Sequence, residues 1–226
     1  MGGDLIDTTE MYLKTIYELE EDNVEPMRAR IVERLGHSGP TVSQTIARME
    51  RDGLVEVADN RRLVLSPEGW KRATEVIRKH RLAELLLLHV IRMPLPLIHS
   101  EACRWEHVMS DTVDKYLFDL LDSVEKDPFG NLIPEAGQES MKNLDQPGIQ
   151  FEEFVATDHP KVGRIARIGE PLQANADVLQ ILLDANILPD VEVEISGDVG
   201  TYVLHSDKGS LPVSEFLARH IFMYEN

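Results

Sequence analysis

The segment "IHSEACRWEHVMSD" at residues 98–111 holds the only cysteine of the chain, Cys103. Glu106 and His107 follow it by three and four positions, and His99 precedes it by four. On a helix, residues three and four apart share a face, so Cys103, Glu106 and His107 converge and could hold one cation through sulfur, oxygen and nitrogen. His99 lies one turn earlier, about 6 Å back along the axis, which suits a neighbouring ion better than the same one. His80 and Glu84, also spaced by four, repeat the pattern on the preceding helix. A lone His and Glu at that spacing is usually a surface ion pair, and a lone buried cysteine a small hydrophobe. Two such groups on successive helices point instead to two cations side by side. One thiol excludes a structural zinc finger, and no H-E-x-x-H pattern of a zinc hydrolase occurs. A Cys–His nucleophile is a weaker reading, because a carboxylate one turn from the thiol disfavours the reactive thiolate and favours a bound cation.

The elements that carry these residues follow from periodicity. Residues 4–21 place Leu5, Met11, Leu13, Ile16, Tyr17 and Leu19 on one helical stripe, with Asp7 and Thr8 as caps. "PMRARIVERLG" reads as a short helix ended by Gly36. "HSGPTVSQTIARMERDG" reads as another, capped by Ser38 or Gly39, with Pro40 in its first turn and Val42, Ile46 and Met49 spaced for burial. "LVEVADNRRLVL" reads as two short strands with a turn at Asp59-Asn60. That is a helix-turn-helix followed by a two-stranded wing. Residues 67–91 predict a long helix whose end, "LAELLLLHVI", is apolar enough to be buried on more than one side. A helix over 97–109 and one capped by Ser110 follow, then the Pro/Gly stop "DPFGNLIP". Beyond Phe151 the runs "FEEFVA", "GRIARIG", "VEVEISG", "TYVLHS" and "LPVSEFLARHIFM", interrupted by one helix in "NADVLQILLDAN", predict a small, mainly β, barrel-like domain.

The formal net charge is −17 over 226 residues, which taken whole argues against nucleic acid. The charge is sorted, however. Residues 1–27 hold one lysine and eight acids, whereas residues 28–72 hold nine basic residues and six acids. A phosphate backbone would dock on that basic stretch. In a helix-turn-helix the second helix enters the major groove with short polar side chains at its N-terminal end, here Thr41, Ser43, Gln44 and Thr45. The candidate DNA contacts are Thr8, Arg28, Ser38, Pro40, Thr41, Ser43, Gln44, Arg48, Arg51 and Arg61, with Arg62 nearby. The absence of an apolar run of about 18 residues predicts no membrane span. A single cysteine makes a reducing, cytoplasmic setting the expectation.

These residues resemble the diphtheria toxin repressor family of iron-dependent regulators. The resemblance is close over residues 4–140, through "DTTEMYLKTIYELEE", "RARIVERLGHSGPTVSQTIARMERDGL", "RKHRLAELLL" and "EACRWEHVMS", and fainter after 141. It implies a winged-helix DNA-binding domain (1–73), a helical dimerisation and metal-binding domain (74–140), a flexible linker (141–150) and an SH3-like domain (151–226). It also implies two Fe2+ ions per subunit, with Co2+, Ni2+, Zn2+ or Mn2+ as substitutes. The primary site would be Met11, Cys103, Glu106 and His107. The ancillary site would be His80, Glu84, His99, Glu170 and Gln173. Met11 is plain core by periodicity; only the resemblance makes it a ligand. The expected partners are palindromic operator DNA and a second copy of the chain, as one dimer or two per operator. Thioether and thiolate are soft donors, which favours iron over manganese. The rival readings are a manganese or general divalent-metal regulator of the same fold, and a helical metalloenzyme. Asp127 stands where the family offers a small hydroxyl residue, which argues against an anion held there with Arg81 and Asn131. Pro171 lies between Glu170 and Gln173.

Overall fold

In this computed structural model the described residues are 7–122, 124–138, 146–158 and 161–225. Leu5 of the first stripe and residues 141–145 of the linker lie outside them. The chain forms two compact units: Met1–Ala83 with Ala102–Leu120 and Ile133–Asp145, and Glu84–Glu101 with Leu121–Leu132 and Gln146–Asn226.

In the first unit, helix α1 (Thr8–Glu21) starts where the Asp7 carboxylate accepts from the backbone N–H groups of Thr9 and Glu10. Its buried residues include the charged Lys14, Glu18 and Glu21 beside the expected apolar stripe. Helix α2 (Arg28–Leu35) ends at Gly36, whose φ of 65° is the left-handed conformation that closes a helix. Helix α3 (Gly39–Arg51) is capped by Ser38, which accepts from Thr41 N, and Pro40 sits in its first turn. Val42, Ile46 and Met49 are buried as their spacing predicts. Thr45 is buried too, so it leaves the polar face on which the sequence reading placed it. Strands β1 (Val55–Val57) and β2 (Leu63–Leu65) pair antiparallel as the wing. One apolar core joins α1 to α3, the wing and the start of helix α4 (Pro67–Leu85), through Tyr12, Ile16, Ile31, Ile46, Leu63 and Ile77.

The long helix expected over 67–91 ends as a π-helical turn, Leu86–Val90, closed by Ile91 N donating to Leu86 O. Helix α5 (Leu95–Trp105) starts two residues earlier than expected and stops four residues sooner. Glu106 and His107 therefore lie in the turn after it, although Glu106 N still donates to Ala102 O and so keeps the helical position. Helix α6 (Asp111–Leu120) follows, with Ser110 Oγ accepting from Val113 N. The boundary between the two units falls within α4 and within α5.

The second unit carries strands β3 (Ile149–Gln150), β4 (Val162–Ile168), β5 (Glu192–Ser196), β6 (Val203–His205), β7 (Ser210–Pro212) and β8 (Ile221–Met223). They form one antiparallel sheet in the order β3-β8-β4-β5-β6-β7, open rather than closed among the described strands. Two runs read as strands are partly helical. "FEEFVA" is helix α7 (Phe151–Asp158), because its buried residues Phe151, Phe154 and Val155 follow a helical spacing. Within "LPVSEFLARHIFM", Ser214 accepts from Leu217 N and starts helix α10 (Glu215–His220) between β7 and β8. Pro171 is absorbed in the first turn of a short helix, α8 (Glu170–Gln173), where its missing N–H costs nothing. Helix α9 (Ala176–Asp184) matches its pattern. Among the described residues no helix is long and apolar enough to cross a membrane.

Gly69 fixes α4, and with it His80, against the wing. A Cβ at Gly69 would lie 2.0 Å from Leu54 O, a backbone atom that cannot swing aside. Gly69→Ala is expected to lower stability by about 1–3 kcal/mol, read as a shift of the urea midpoint at unchanged slope.

Candidate metal centre

The first unit assembles its site around one carboxylate. Glu106 is buried, with 4% of its surface exposed. Its Oε2 lies 2.9 Å from Lys14 Nζ and 2.5 Å from His80 Nδ1, while Oε1 faces His107 Nε2 at 3.3 Å. Lys14 Nζ also reaches His80 Nδ1 at 3.1 Å and Cys103 Sγ at 3.8 Å. His107 Nδ1 donates to Glu10 Oε2 at 2.7 Å. Cys103 is half-buried, and Met11 packs at the edge of the apolar core. Spacing placed Cys103, Glu106 and His107 together; the structure brings Glu106 to His107 and Cys103 to the same lysine.

The electrostatics keep the carboxylate ionised. Burial alone would push the Glu106 carboxyl up, but the positive charges of Lys14 and His80, with hydrogen bonds from both, outweigh it and the net shift is downward. The hydrogen bond to Glu10 raises the His107 imidazole; burial and Lys14 oppose it, and the Glu106 and Glu10 charges reinforce it. A carboxylate and an imidazole with a thiol close by are donor types that fit a divalent cation of intermediate softness. Lys14 and Glu10 were not found from the sequence. Lys14 stands three residues after Met11, so helical spacing could have flagged it. Glu10 meets a partner 97 positions away, for which no local signal exists.

The second unit brings together three of the remaining candidates. His99 Nδ1 lies 3.2 Å from Glu84 Oε1, and His99 Nε2 lies 3.4 Å from Glu170 Oε1. Glu84, His99 and Gln173 are buried. Gln173 Nε2 donates to Ile168 O at 2.7 Å, which leaves its amide oxygen as the atom suited to a cation. Asp127 is committed to a turn. It accepts from the backbone N–H groups of Phe129 and Asn131 and from Asn131 Nδ2.

On the DNA-reading side, Thr8, Ser38, Pro40, Thr41, Ser43, Gln44, Arg48, Arg51 and Arg61 are exposed and Arg28 is half-buried. Arg62 is withdrawn from the set: its guanidinium holds both Glu20 oxygens at 2.8 and 2.9 Å.

With that geometry in place, comparison with known proteins is specific. Residues 4–63 match the iron dependent repressor N-terminal DNA binding domain, and residues 66–135 match the iron dependent repressor metal binding and dimerisation domain. The diphtheria toxin repressor of Corynebacterium diphtheriae is 50% identical over 224 residues, covering 98% of this chain and 99% of that one. The iron-dependent repressor IdeR of Mycobacterium tuberculosis is 46% identical over 201 residues, covering 88% and 87%. Among solved structures, ScaR with bound Zn2+ superposes with a TM-score of 0.81 at 25% identity, covering 97% of this chain and 100% of that one. The manganese regulator SloR gives 0.78 at 26% identity, covering 96% and 98%.

Two outcomes follow for the protein without metal. Glu106→Gln leaves Lys14 in the interior without its closest carboxylate, and is expected to cost about 3 kcal/mol or more in chemical denaturation. The His107–Glu10 bond stabilises the fold fully below pH 6.5, the ordinary histidine value, and is lost as pH rises through the raised native value. Stability should therefore fall above pH 6.5, and Glu10→Gln should flatten that part of the profile.

Proposed function

Since the chain belongs to the iron-dependent repressor family of DNA-binding transcriptional regulators, which are not enzymes, we propose that it is an Fe2+-activated repressor of iron-homeostasis genes that binds palindromic operators as a homodimer. The observation that carries this reading is the convergence of Cys103 and the buried Glu106 carboxylate, which faces His107, on Lys14 of α1. Met11, Cys103, Glu106 and His107 would hold the activating ion. The bound ion would supply positive charge and a fixed coordination geometry. Glu106 presents an ionised oxygen toward His107 because Lys14 and His80 hold its other oxygen. Cys103 contributes the soft donor and Met11 ties α1 into the set. For a second ion we propose the ancillary set that the resemblance implies; the convergence of Glu84 and Glu170 on His99 supports it.

The same arrangement accounts for the DNA side. Thr41, Ser43 and Gln44 are exposed at the start of α3, where short polar side chains meet base edges in a major groove. Ser38 and the helix N-terminus suit a phosphate. Arg48, Arg51 and Arg61 suit the flanking backbone, and Thr8, Arg28 and Pro40 complete the proposed contact set. Exposed Val108, Val113, Tyr116 and Leu120 give the first unit an apolar surface that fits a dimer partner. A protein of this kind would work in the cytoplasm. Relatives named for manganese make a manganese regulator the second reading. Thioether and thiolate donors weigh against it, since manganese prefers oxygen.

The test is fluorescence anisotropy with duplexes that the protein itself selects from a random-sequence pool. Anaerobic Fe2+ or Co2+ should tighten binding at least about tenfold, within the usual range of allosteric coupling, and a chelator should reverse it. Met11→Ala should lose most of that gain. Cys103→Asp should move the response from Co2+ toward Mn2+. Binding indifferent to metal would overturn the proposal.

A further inference from the structure

The first turn of α1 reaches two ways. Glu10 Oε2 accepts from His107 at the metal centre, and Met11 is the ligand proposed there. The residues on either side of that pair reach the DNA-reading elements. Thr9 Oγ1 accepts from Arg48 Nη2 of α3 at 3.3 Å. Tyr12, wholly buried, places its hydroxyl 2.9 Å from His37 Nδ1, with ring centroids 5.8 Å apart and planes tilted by 36°. His37 is joined directly to Ser38, the residue that caps α3 through Thr41 N and whose hydroxyl also meets Thr41 Oγ1 at 2.7 Å. From Met11 to the cap of the recognition helix the path is thus one peptide link, one buried phenol, one hydrogen bond and one further peptide link.

We propose that Tyr12 and His37 are positioning residues that carry the metal state of α1 to the N-terminal end of α3, with Thr9–Arg48 as a second, weaker tie. The physical basis is the mismatch in stiffness between the two ends. Tyr12 is locked by core packing, so a shift or rotation of α1 moves its hydroxyl as a rigid arm. His37 sits half-buried in a turn that follows the left-handed Gly36, where the backbone can follow that arm. The hydrogen bond is the one polar link between these two side chains, and it ends next to the cap that orients Thr41, Ser43 and Gln44. An ion held by Met11 and by His107 Nε2, with His107 Nδ1 still on Glu10, would fix both residues of that pair, and Thr9 and Tyr12 with them, in one of the two states only. A differential interaction of that kind is what allosteric coupling requires.

This inference rests on the proposed metal role of Met11, Cys103 and His107, and the experiment separates the two. Wild type, Tyr12→Phe, His37→Ala and His37→Gln are titrated with Co2+, followed by thiolate-to-cobalt absorption. Amide hydrogen exchange of residues 37–45 is then measured with and without Co2+, and DNA affinity on the selected duplexes in the same two conditions. Co2+ should bind all four proteins with the same absorption. It should slow exchange over residues 37–45 in wild type and in His37→Gln, whose amide restores a partner for the phenol. In Tyr12→Phe and His37→Ala that protection should vanish, and the metal-dependent gain in DNA affinity should fall at least about fivefold. If Tyr12→Phe does not fold, the contrast between His37→Ala and His37→Gln decides. Full protection retained in Tyr12→Phe and His37→Ala, or lost equally in His37→Gln, would overturn the inference. Absent absorption in wild type would overturn the metal reading itself. Normal absorption with no protection in wild type would overturn the coupling alone.

Discussion

A carboxylate buried to the extent of Glu106 must be matched by positive charge and hydrogen-bond donors, or it takes up a proton. Much of the first unit is organised by that requirement. Lys14 comes from α1, His80 from α4 and His107 from the turn after α5, and all three meet at one side chain. Three elements distant in sequence are thereby registered against each other by charge as well as by apolar packing. The same atoms that stabilise the carboxylate also keep it ionised.

Helix α1 is the element that feels this most. Its acids and that of its C-cap are tied down along the C-terminal half: Glu18 and Asp22 to Arg34, Glu20 to Arg62, Glu21 to Arg81. The Arg81–Glu21 pair is nearly wholly buried, with N to O at 2.6 Å. Pairs of this kind are poor sources of net stability but strong determinants of register, because a slipped register would strand a charge. The C-terminal half of α1 is consequently fixed. Its first turn is capped by Asp7 and holds the partly exposed Glu10, which accepts from His107.

Periodicity made the winged helix legible because each of its elements buries a clean stripe or ends on a distinct signal, Ser38 before α3 and Gly36 after α2. The spacing of Cys103, Glu106 and His107 pointed to a cation, and Glu106 holds its helical position even though the helix stops at Trp105. The second unit was harder to read. "FEEFVA" has two aromatic residues and a valine three and four apart, a helical spacing hidden in a strand-like composition. The mixed segment from Leu211 to Met223 needed Ser214 to be recognised as a cap. Lys14 and Glu10 escaped for a different reason. A lysine in a buried stripe looks like a solvated neighbour until the carboxylate that holds it, 92 residues on, is in place.

The strongly acidic composition looks at odds with a DNA ligand, and the resolution lies in which charges are paired. Arg34 and Arg62 are consumed by acids of α1. Arg48 touches only the neutral Thr9 among the polar contacts described, and Arg51 and Arg61 are exposed on the same motif. Arg34, Arg62 and Arg81 thus pair with acids of residues 1–27, while a small set of exposed arginines remains around α3. A basic surface that small gives little non-specific affinity, because few phosphates are neutralised and few counterions released. The remaining acidic surface repels a mispositioned duplex. An acidic repressor with a confined basic face therefore depends on correct placement of α3 for nearly all its affinity, and this is the condition under which a small shift of one helix can act as a switch.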